Sequence, residues 1–387
     1  MFKKRLFTPG PTPLLPQVQQ ALSKPILHHR TDEFRLIFKE VLGGLRYLYN
    51  TTGDVLLFTS SATGVMEGSI ANLLNHSQEA IVISTGKFGE RWVEMCQAYG
   101  VKTNVLSCPY GQIINASTLA AELEKFPKTR AVLVQHSESS TGVRLDIEGF
   151  GKIVRQFKHT ALVVDAVTGL GVMPLPVDRW NLDIVIAGSQ KALMMPPGLA
   201  FVSISKKAWQ LIKENQHPKY YFDFSKEKEL QLKGETAYTP STSLVVALKE
   251  SLRFIQELTR EELIKNTGFL AQATRAAATQ LGLTLFAQSS PSNALTAIYS
   301  PEGLDSGMII DKLKEGFGAV VANGQGSMKG KIFRIAHLGY NDFPDILALI
   351  ACLELVLIQL GIQVKLGTGV QAVQKIYLSQ YPVDPSD

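Results

Sequence analysis

Short apolar runs alternate with helical stretches along the first half of the chain. Over positions 33–50, apolar residues recur at three- and four-residue steps, which predicts an amphipathic helix. Continuous runs rich in β-branched residues follow: VLLF (55–58), AIVIS (80–84), NVLS (104–107), AVLVQ (131–135), ALVVD (161–165) and DIVIA (183–187). Such runs are typical of strands buried on both faces, as in a parallel sheet with helices on either side. The pattern therefore predicts an α/β protein.

The pattern changes after position 240. Helical periodicity continues over 240–281, and two strand-like runs, ALTAIYS (294–300) and KIFRIAH (331–337), then mix with helices. At about 150 residues per domain, a chain of 387 residues should hold two or three domains. We predict an N-terminal arm (1–20), a large domain (21–255) and a smaller C-terminal domain (256–387), with the boundary in or just after a long connecting helix.

One segment raises the question of a membrane span. Positions 346–364 are nearly all apolar, but Glu354 and Gln359 interrupt them. A carboxylate deep in hydrocarbon costs about 2.5–3.5 kcal/mol. We therefore expect a helix buried inside the protein and no membrane partner.

The charge and the cysteine content of the chain argue against several classes of function. The 39 Lys and Arg against 34 Asp and Glu give a net charge of +5, and this small, dispersed excess argues against nucleic acid as a partner. Three cysteines without a CxxC spacing support neither a disulfide framework nor a zinc site. The pair His28-His29 has no recognisable third metal ligand in the sequence. We expect no metal site, and a reducing, cytoplasmic environment.

Two stretches suggest an amine paired with an acid. Lys191 lies in GSQKAL (188–193), directly after the run DIVIA and before Pro196-Pro197-Gly198. Among these small and apolar neighbours an amine can lose its charge and become a nucleophile, whereas a lone lysine is usually a solvated surface residue. Asp165 closes ALVVD at the end of a strand where such sheets bind ligands, although a turn-forming Asp is the alternative. Together they match what pyridoxal phosphate requires, a lysine for its aldehyde and an acid for its ring nitrogen.

Two further stretches indicate anion binding. In TSSATG (59–64), small hydroxyl residues precede a helix expected from Val65, so a phosphate could rest there, but an ordinary helix cap has the same appearance. Arg334 shares a strand face with Ile332 and Ala336, where an unpaired guanidinium would be costly. Either a substrate carboxylate or a structural salt bridge would satisfy it.

Taken together, these stretches resemble the class V aminotransferases, a family of fold type I pyridoxal-phosphate enzymes that includes alanine–glyoxylate and serine–pyruvate aminotransferases. The matching pieces run almost from end to end: FTPGPTP (7–13), His29-Arg30 with Glu33-Phe34, SESSTGV (137–143), VDAV (164–167), GSQKAL with PPG, YTPST (238–242) and RIAHLG (334–339). The resemblance implies a mainly parallel seven-stranded sheet in the large domain. It also implies a smaller α+β C-terminal domain.

The resemblance assigns roles to matching positions. Lys191 would bind the cofactor aldehyde and move the substrate's α-proton, Asp165 would hold the ring nitrogen protonated, and Arg334 would bind the substrate carboxylate. The remaining positions would contact the cofactor: Phe88 by stacking on the ring, Ser139 at the ring, and Ser61, Ala62, Thr63 and Gln190 at the phosphate.

The resemblance also implies a homodimer with shared active sites. Thr239 would reach the phosphate of the neighbouring subunit, and the start of the chain would wrap the partner. Several relatives have a tyrosine near the position of Thr236, and its absence here leaves the contact across the dimer less complete.

The expected reaction moves an amino group from alanine or serine to glyoxylate or pyruvate. A phosphoserine or 2-aminoethylphosphonate transaminase is an alternative, for which His28, His29 and Arg30 are the only visible candidates for a second phosphate pocket. Cysteine desulfurase-type lyases share the fold, but Cys352 lies inside an apolar helix rather than on a mobile loop. A non-catalytic descendant is the third alternative, against which Lys191, Asp165 and Arg334 all argue.

Overall fold

The computed structural model describes residues 3–381, and the bounds of its elements follow the predicted runs closely. The helices are α1 (Pro16–Leu22), α2 (Asp32–Tyr49), α3 (Ala62–Leu73), α4 (Lys87–Ala98), α5 (Ala116–Lys125), α6 (Ile147–Val154), α7 (Lys206–Glu214), α8 (Phe224–Gln231), α9 (Thr242–Leu258), α10 (Arg260–Gln280), α11 (Ser306–Phe317), α12 (Phe343–Gln359) and α13 (Thr368–Gln380). The strands are β1 (Arg5–Leu6), β2 (Asp54–Thr59), β3 (Glu79–Ser84), β4 (Lys102–Ser107), β5 (Thr129–Gln135), β6 (Ser137–Glu138), β7 (Val143–Arg144), β8 (Ala161–Asp165), β9 (Ile184–Gly188), β10 (Leu199–Ile204), β11 (Leu295–Tyr299), β12 (Ala319–Val320), β13 (Ala322–Asn323) and β14 (Ile332–Ala336).

The central feature is a seven-stranded sheet in the order β2-β10-β9-β8-β5-β3-β4. Strands β9, β8, β5, β3 and β4 pair in parallel, and β10 runs antiparallel between β2 and β9. The predicted fold class, a mainly parallel α/β sheet, is confirmed. All strands of the sheet except β10 therefore end at the same edge, which is where ligands bind in open α/β sheets.

Helices cover both faces of this sheet because successive side chains of a strand point to opposite sides. On one face, Val55 and Leu57 of β2 join a core with helices α1, α2, α6 and α9. On the other face, Leu56 and Phe58 join a core with α3, α4 and α7. Both faces are consequently apolar, which explains the continuous rather than alternating runs in the sequence.

A separate core forms in the C-terminal part of the chain. It lies between the antiparallel sheet β11-β14-β13 and helices α10 to α13. The start of the chain joins it, since β1 pairs in parallel with β12 and Phe7 is buried there. In this single chain, the predicted N-terminal arm (1–20) therefore packs at its start against the C-terminal part of the same chain.

The helical pattern over 240–281 corresponds to two helices, α9 and α10. Thr259 separates α9 from α10 with a positive φ of 75°, and its hydroxyl accepts a hydrogen bond from the backbone N–H of Glu262. The N-cap of α10 thus interrupts the periodicity. Leu263 still packs in the core of the large sheet, whereas Phe269 belongs to the C-terminal core. The domain boundary at 255 stays a prediction.

The apolar segment 346–364 forms α12, as expected, and its carboxylate has a structural role. Glu354 is buried and accepts hydrogen bonds from the backbone N–H groups of Gly367, Gly369 and Val370 at distances of 2.6–3.2 Å. It therefore caps the start of α13. Within residues 3–381, none of the helices is long and apolar enough to cross a membrane.

We expect Glu354→Leu to lower the free energy of unfolding by about 2–4 kcal/mol, because three backbone donors lose their acceptor. Urea denaturation followed by circular dichroism measures the loss. Gln359→Leu, at an exposed position of the same helix, is the matched control and should change stability by less than about 0.5 kcal/mol. Equal stability of the Glu354→Leu protein and its parent would contradict this role.

Candidate active site

A cavity lies at the edge where the strands of the large sheet end. The loops after β2, β3, β5, β8 and β9 enclose it. Its lining consists of Ser61, Ala62, Thr63, Met66, Phe88, Arg91, Ser137, Ser139, Asp165, Val167, Thr168, Gln190 and Lys191. The cavity thus contains every predicted site residue except Thr239 and Arg334.

Lys191 and Asp165 meet in this cavity because β8 and β9 are parallel neighbours. Asp165 is the last residue of β8, and Lys191 follows β9 by three positions. Burial lowers the pKa of the Lys191 amine to about 8, although the negative charge of Asp165 acts in the opposite direction. Burial also raises the pKa of the Asp165 carboxyl, while the N–H of Val167 and two nearby cations lower it. The site therefore holds an amine that is easily deprotonated beside an acid.

The PGPTP segment (9–13) lies directly over Lys191. The Lys191 amine donates a hydrogen bond of 2.5 Å to the carbonyl of Pro9, and Thr12 Oγ1 donates one of 2.9 Å to the carbonyl of Lys191. Gly10 has a φ of 143°, and a Cβ at this position would overlap the Lys191 amine. Only glycine fits here, both for the backbone conformation and for the space.

A second buried carboxylate fixes the aromatic side of the cavity. Glu138 accepts hydrogen bonds from the backbone N–H groups of Phe88 and Gly89 at 3.1 and 3.0 Å, and from the backbone and hydroxyl of Ser140 at 3.1 and 2.6 Å. All its partners are donors, which is the arrangement that an ionised carboxylate requires. Burial nevertheless raises the pKa of Glu138. Glu138 ties the first turn of α4, which carries Phe88, to the loop that carries Ser139.

The first turn of α3 forms another side of the cavity. The helix begins at Ala62 with Ser61 as its N-cap, three residues earlier than predicted from the sequence. Ser61 makes no side-chain capping bond. Ser61, Ala62 and Thr63 of this helix start line the cavity together with Gln190, an arrangement suited to an anion.

Arg334 is buried on β14, and its guanidinium is held by backbone carbonyls. Its Nε and Nη2 donate to the carbonyl of Asn323 at 2.9 and 2.6 Å, and its Nη1 donates to the carbonyl of Ser139 at 2.6 Å. Burial lowers the pKa of Arg334 to about 10, and the charge of Glu138 raises it. No carboxylate of residues 3–381 lies within 4.0 Å of it. The structural salt bridge considered as an alternative is therefore not formed among these residues, and N–H donors are left for a ligand.

Thr239 is exposed and does not line the cavity of its own chain. It lies two residues before Ser241, whose N–H donates to Thr59 Oγ1 at 2.9 Å, just ahead of the first turn of α3. Thr236 is buried, and its hydroxyl donates to the carbonyl of Tyr238 at 2.7 Å. The contact of Thr239 with a second subunit stays a prediction.

Sequence reasoning missed two of the charged side chains at this site. Arg91 lines the cavity. The only feature of the sequence that indicates this position is the spacing of three residues from Phe88, which places both side chains on one helix face. Glu138 belongs to the motif SESSTGV (137–143), and the motif predicts no role for it. Its function depends on two loops that are separated by about 50 residues, so no local pattern could reveal it.

Comparisons with known proteins agree with this geometry. The sequence model described as Aminotransferase class-V matches residues 6–343. The chain is 41% identical to the small subunit of a soluble hydrogenase from Synechococcus sp. (strain PCC 6716), over 97% of this chain and 98% of that protein. It is 34% identical to the L-aspartate–glyoxylate aminotransferase of Paracoccus denitrificans, over 96% of each chain, and 31% identical to the serine–glyoxylate aminotransferase of Methylorubrum extorquens, over 98% and 97%.

The fold has solved counterparts as well. The ureidoglycine–glyoxylate aminotransferase of Bacillus subtilis superposes with a TM-score of 0.91 and 26% identity, over 97% of this chain and 98% of that one. Family match, relatives and fold agree with the resemblance seen in the motifs. The chain belongs to the class V aminotransferase family.

Proposed function

We propose that this protein is a pyridoxal-phosphate-dependent aminotransferase that moves an amino group from alanine or serine to glyoxylate or pyruvate. The observation that carries the proposal is the cavity in which the low-pKa amine of Lys191 lies beside the buried acid Asp165. Glyoxylate is the favoured acceptor, because it appears in the names of both the Paracoccus and the Methylorubrum relatives. The residues of the cavity fit amino-group transfer rather than the hydrogenase activity in the name of the Synechococcus relative.

The residues present fit the cofactor chemically. When bound, pyridoxal phosphate supplies an aldehyde that reacts with amines and a ring that accepts the electron pair released at the substrate's α-carbon. Lys191 would hold the aldehyde covalently and, once displaced by the substrate amine, would move the α-proton. Its pKa of about 8 leaves a useful fraction neutral near neutral pH. Asp165 would hold a proton on the ring nitrogen by charge attraction.

The other side chains of the site would bind and orient the cofactor and the substrate. Phe88 presents a flat apolar face for the ring, and Ser139 would contact the ring from the loop that Glu138 fixes. Ser61, Ala62, Thr63 and Gln190 would receive the phosphate at the first turn of α3. Arg334, already oriented by two carbonyls, would bind the substrate carboxylate through its remaining donors.

We further propose that the enzyme is a cytoplasmic homodimer. Thr239 is exposed next to the loop that leads into α3, where it could reach a neighbouring subunit's site. The free thiols of Cys96, Cys108 and Cys352 fit a reducing compartment.

The alternative reactions have less support. Arg30 is paired with Glu235 at 2.8 Å and, like His28 and His29, lies outside the cavity of this chain, so a second phosphate pocket lacks its candidate residues. For a desulfurase, burial raises the pKa of the Cys352 thiol, which makes it a poor nucleophile. Single-turnover spectra for a matrix of donors, including phosphoserine and cysteine, against oxo acids would distinguish these reactions.

Borohydride reduction of the enzyme loaded with pyridoxal phosphate should attach the label to Lys191, because this amine is the desolvated one in the cavity. Peptide mapping by mass spectrometry identifies the site. Lys191→Ala should lose both label and turnover, whereas Lys206→Ala, at an exposed lysine, should keep both. A label on another residue, or turnover by the Lys191→Ala protein, would refute the proposed function.

Arg334→Ala should raise KM for the amino acid and the oxo acid alike, since both have the same carboxylate. The loss of binding should be about 2–5 kcal/mol, as for a desolvated charge pair that loses one partner. Steady-state kinetics measures it, with the exposed Lys331→Ala as the matched control. Arg334→Lys, which keeps the charge and loses the two-point geometry, should be intermediate. A folded Arg334→Lys protein with unchanged KM values would remove Arg334 from substrate binding.

A further inference from the structure

The guanidinium of Arg91 lies in the cavity with few protein partners of its own. Its Cζ is 4.7 Å from the centroid of the Phe88 ring, and its Nη1 donates a hydrogen bond of 3.2 Å to Thr63 Oγ1. No carboxylate of residues 3–381 lies within 4.0 Å of it. Most of the N–H donors of Arg91 are therefore free to bind a ligand at the Thr63 end of the cavity.

The Thr63 end of the cavity needs a positive charge to balance the charge of a bound phosphate. Ser61, Ala62, Thr63 and Gln190, the residues expected to hold the cofactor phosphate, are all neutral. Among the lining residues, the formal charges are those of Asp165, Lys191 and Arg91. A helix N-terminus supplies only about half a positive charge, whereas the phosphate carries close to two negative charges. Moreover, Lys191 would no longer offer a free ammonium once its nitrogen is bonded to the cofactor.

We propose that Arg91 binds the phosphate of pyridoxal phosphate together with Thr63 and the first turn of α3. This inference rests on the proposed function, and it adds a charged ligand where the family resemblance placed only neutral ones. The side-chain carboxylate of a dicarboxylic donor is the competing ligand for the same guanidinium. The contact with Thr63, at the phosphate end, favours the phosphate.

The positive charge of Arg91 has a second consequence inside the cavity. It lowers the pKa of both the Asp165 carboxyl and the Lys191 amine. Partial neutralisation of Arg91 by the phosphate would weaken this effect. Phosphate binding would thus raise the pKa of the Asp165 carboxyl, and that of the Lys191 amine whenever this amine is not bonded to the cofactor.

The test compares two ligands that differ only in the phosphate. Binding of pyridoxal phosphate and of pyridoxal to the cofactor-free protein is measured by absorbance titration in wild type, Arg91→Gln and Arg91→Lys. Arg91→Gln should weaken pyridoxal phosphate binding by about 10- to 100-fold, as expected for a hydrogen bond to a charged group, and change pyridoxal binding less than about threefold. Arg91→Lys should be intermediate. Arg155→Gln, at an exposed position, is the control and should match wild type for both ligands.

Several outcomes would overturn this proposal. Equal losses for the two ligands would mean that Arg91 supports the fold of the cavity rather than the phosphate. Unchanged pyridoxal phosphate affinity with a raised KM for aspartate alone would assign Arg91 to a substrate carboxylate. If Arg91→Gln does not fold, two other results would together refute the proposal. Arg91→Lys would bind pyridoxal phosphate with wild-type affinity, and inorganic phosphate would not compete with pyridoxal phosphate for the wild-type protein. If wild type binds neither ligand, the proposed function itself fails.

Discussion

The proposed chemistry of this protein depends on a lysine amine that is held away from water after the end of a buried strand. Because β8 and β9 are parallel neighbours, their ends bring Lys191 and Asp165 into one cavity. The PGPTP segment covers the amine, and Gly10 leaves the space for it. Desolvation and the Asp165 charge oppose each other, and desolvation prevails, so that the pKa of the amine is about 8 instead of 10.5. An exposed lysine would stay charged at neutral pH and could not act as a nucleophile or a base.

A second buried carboxylate gives the cavity its fixed geometry. Glu138 binds the backbone of α4 at Phe88 and Gly89, and the same loop contacts Arg334 through the carbonyl of Ser139. The proposed ring platform, cofactor loop and substrate arginine are therefore linked through two residues. Arg334 comes from the C-terminal part of the chain, so this link also joins the two parts of the chain at the candidate active site. Such a connection can position a substrate carboxylate relative to the cofactor with little freedom.

The sequence predicted what depends on local pattern and missed what depends on pairing. Continuous apolar runs in the sequence indicate strands, and all six predicted runs form strands. The run NVLS (104–107) is not buried on both faces as expected, because it belongs to the edge strand β4, where Val105 is exposed. The run LAFVSI (199–204) forms β10, which the alternation of strands and helices does not predict, because this antiparallel strand follows β9 without a helix between them. The break at Thr259 was hidden by periodicity on both sides. The sequence predicts that Lys191 and Asp165 lie together because each lies at or just after a strand that ends at the same edge, and the structure places both in one cavity. The contacts of Glu138 and Arg91 involve residues on other loops and helices, so no local pattern indicates them.

The titration of the Lys191 amine measures whether burial lowers its pKa. Heteronuclear NMR of the cofactor-free protein with labelled lysine, assigned through Lys191→Arg, gives the midpoint for this one residue. We predict a midpoint near pH 8, and a still lower one in Asp165→Asn, since removal of the carboxylate charge withdraws its stabilisation of the ammonium form. A midpoint near the ordinary value of 10.5 that does not respond to Asp165→Asn would contradict the account.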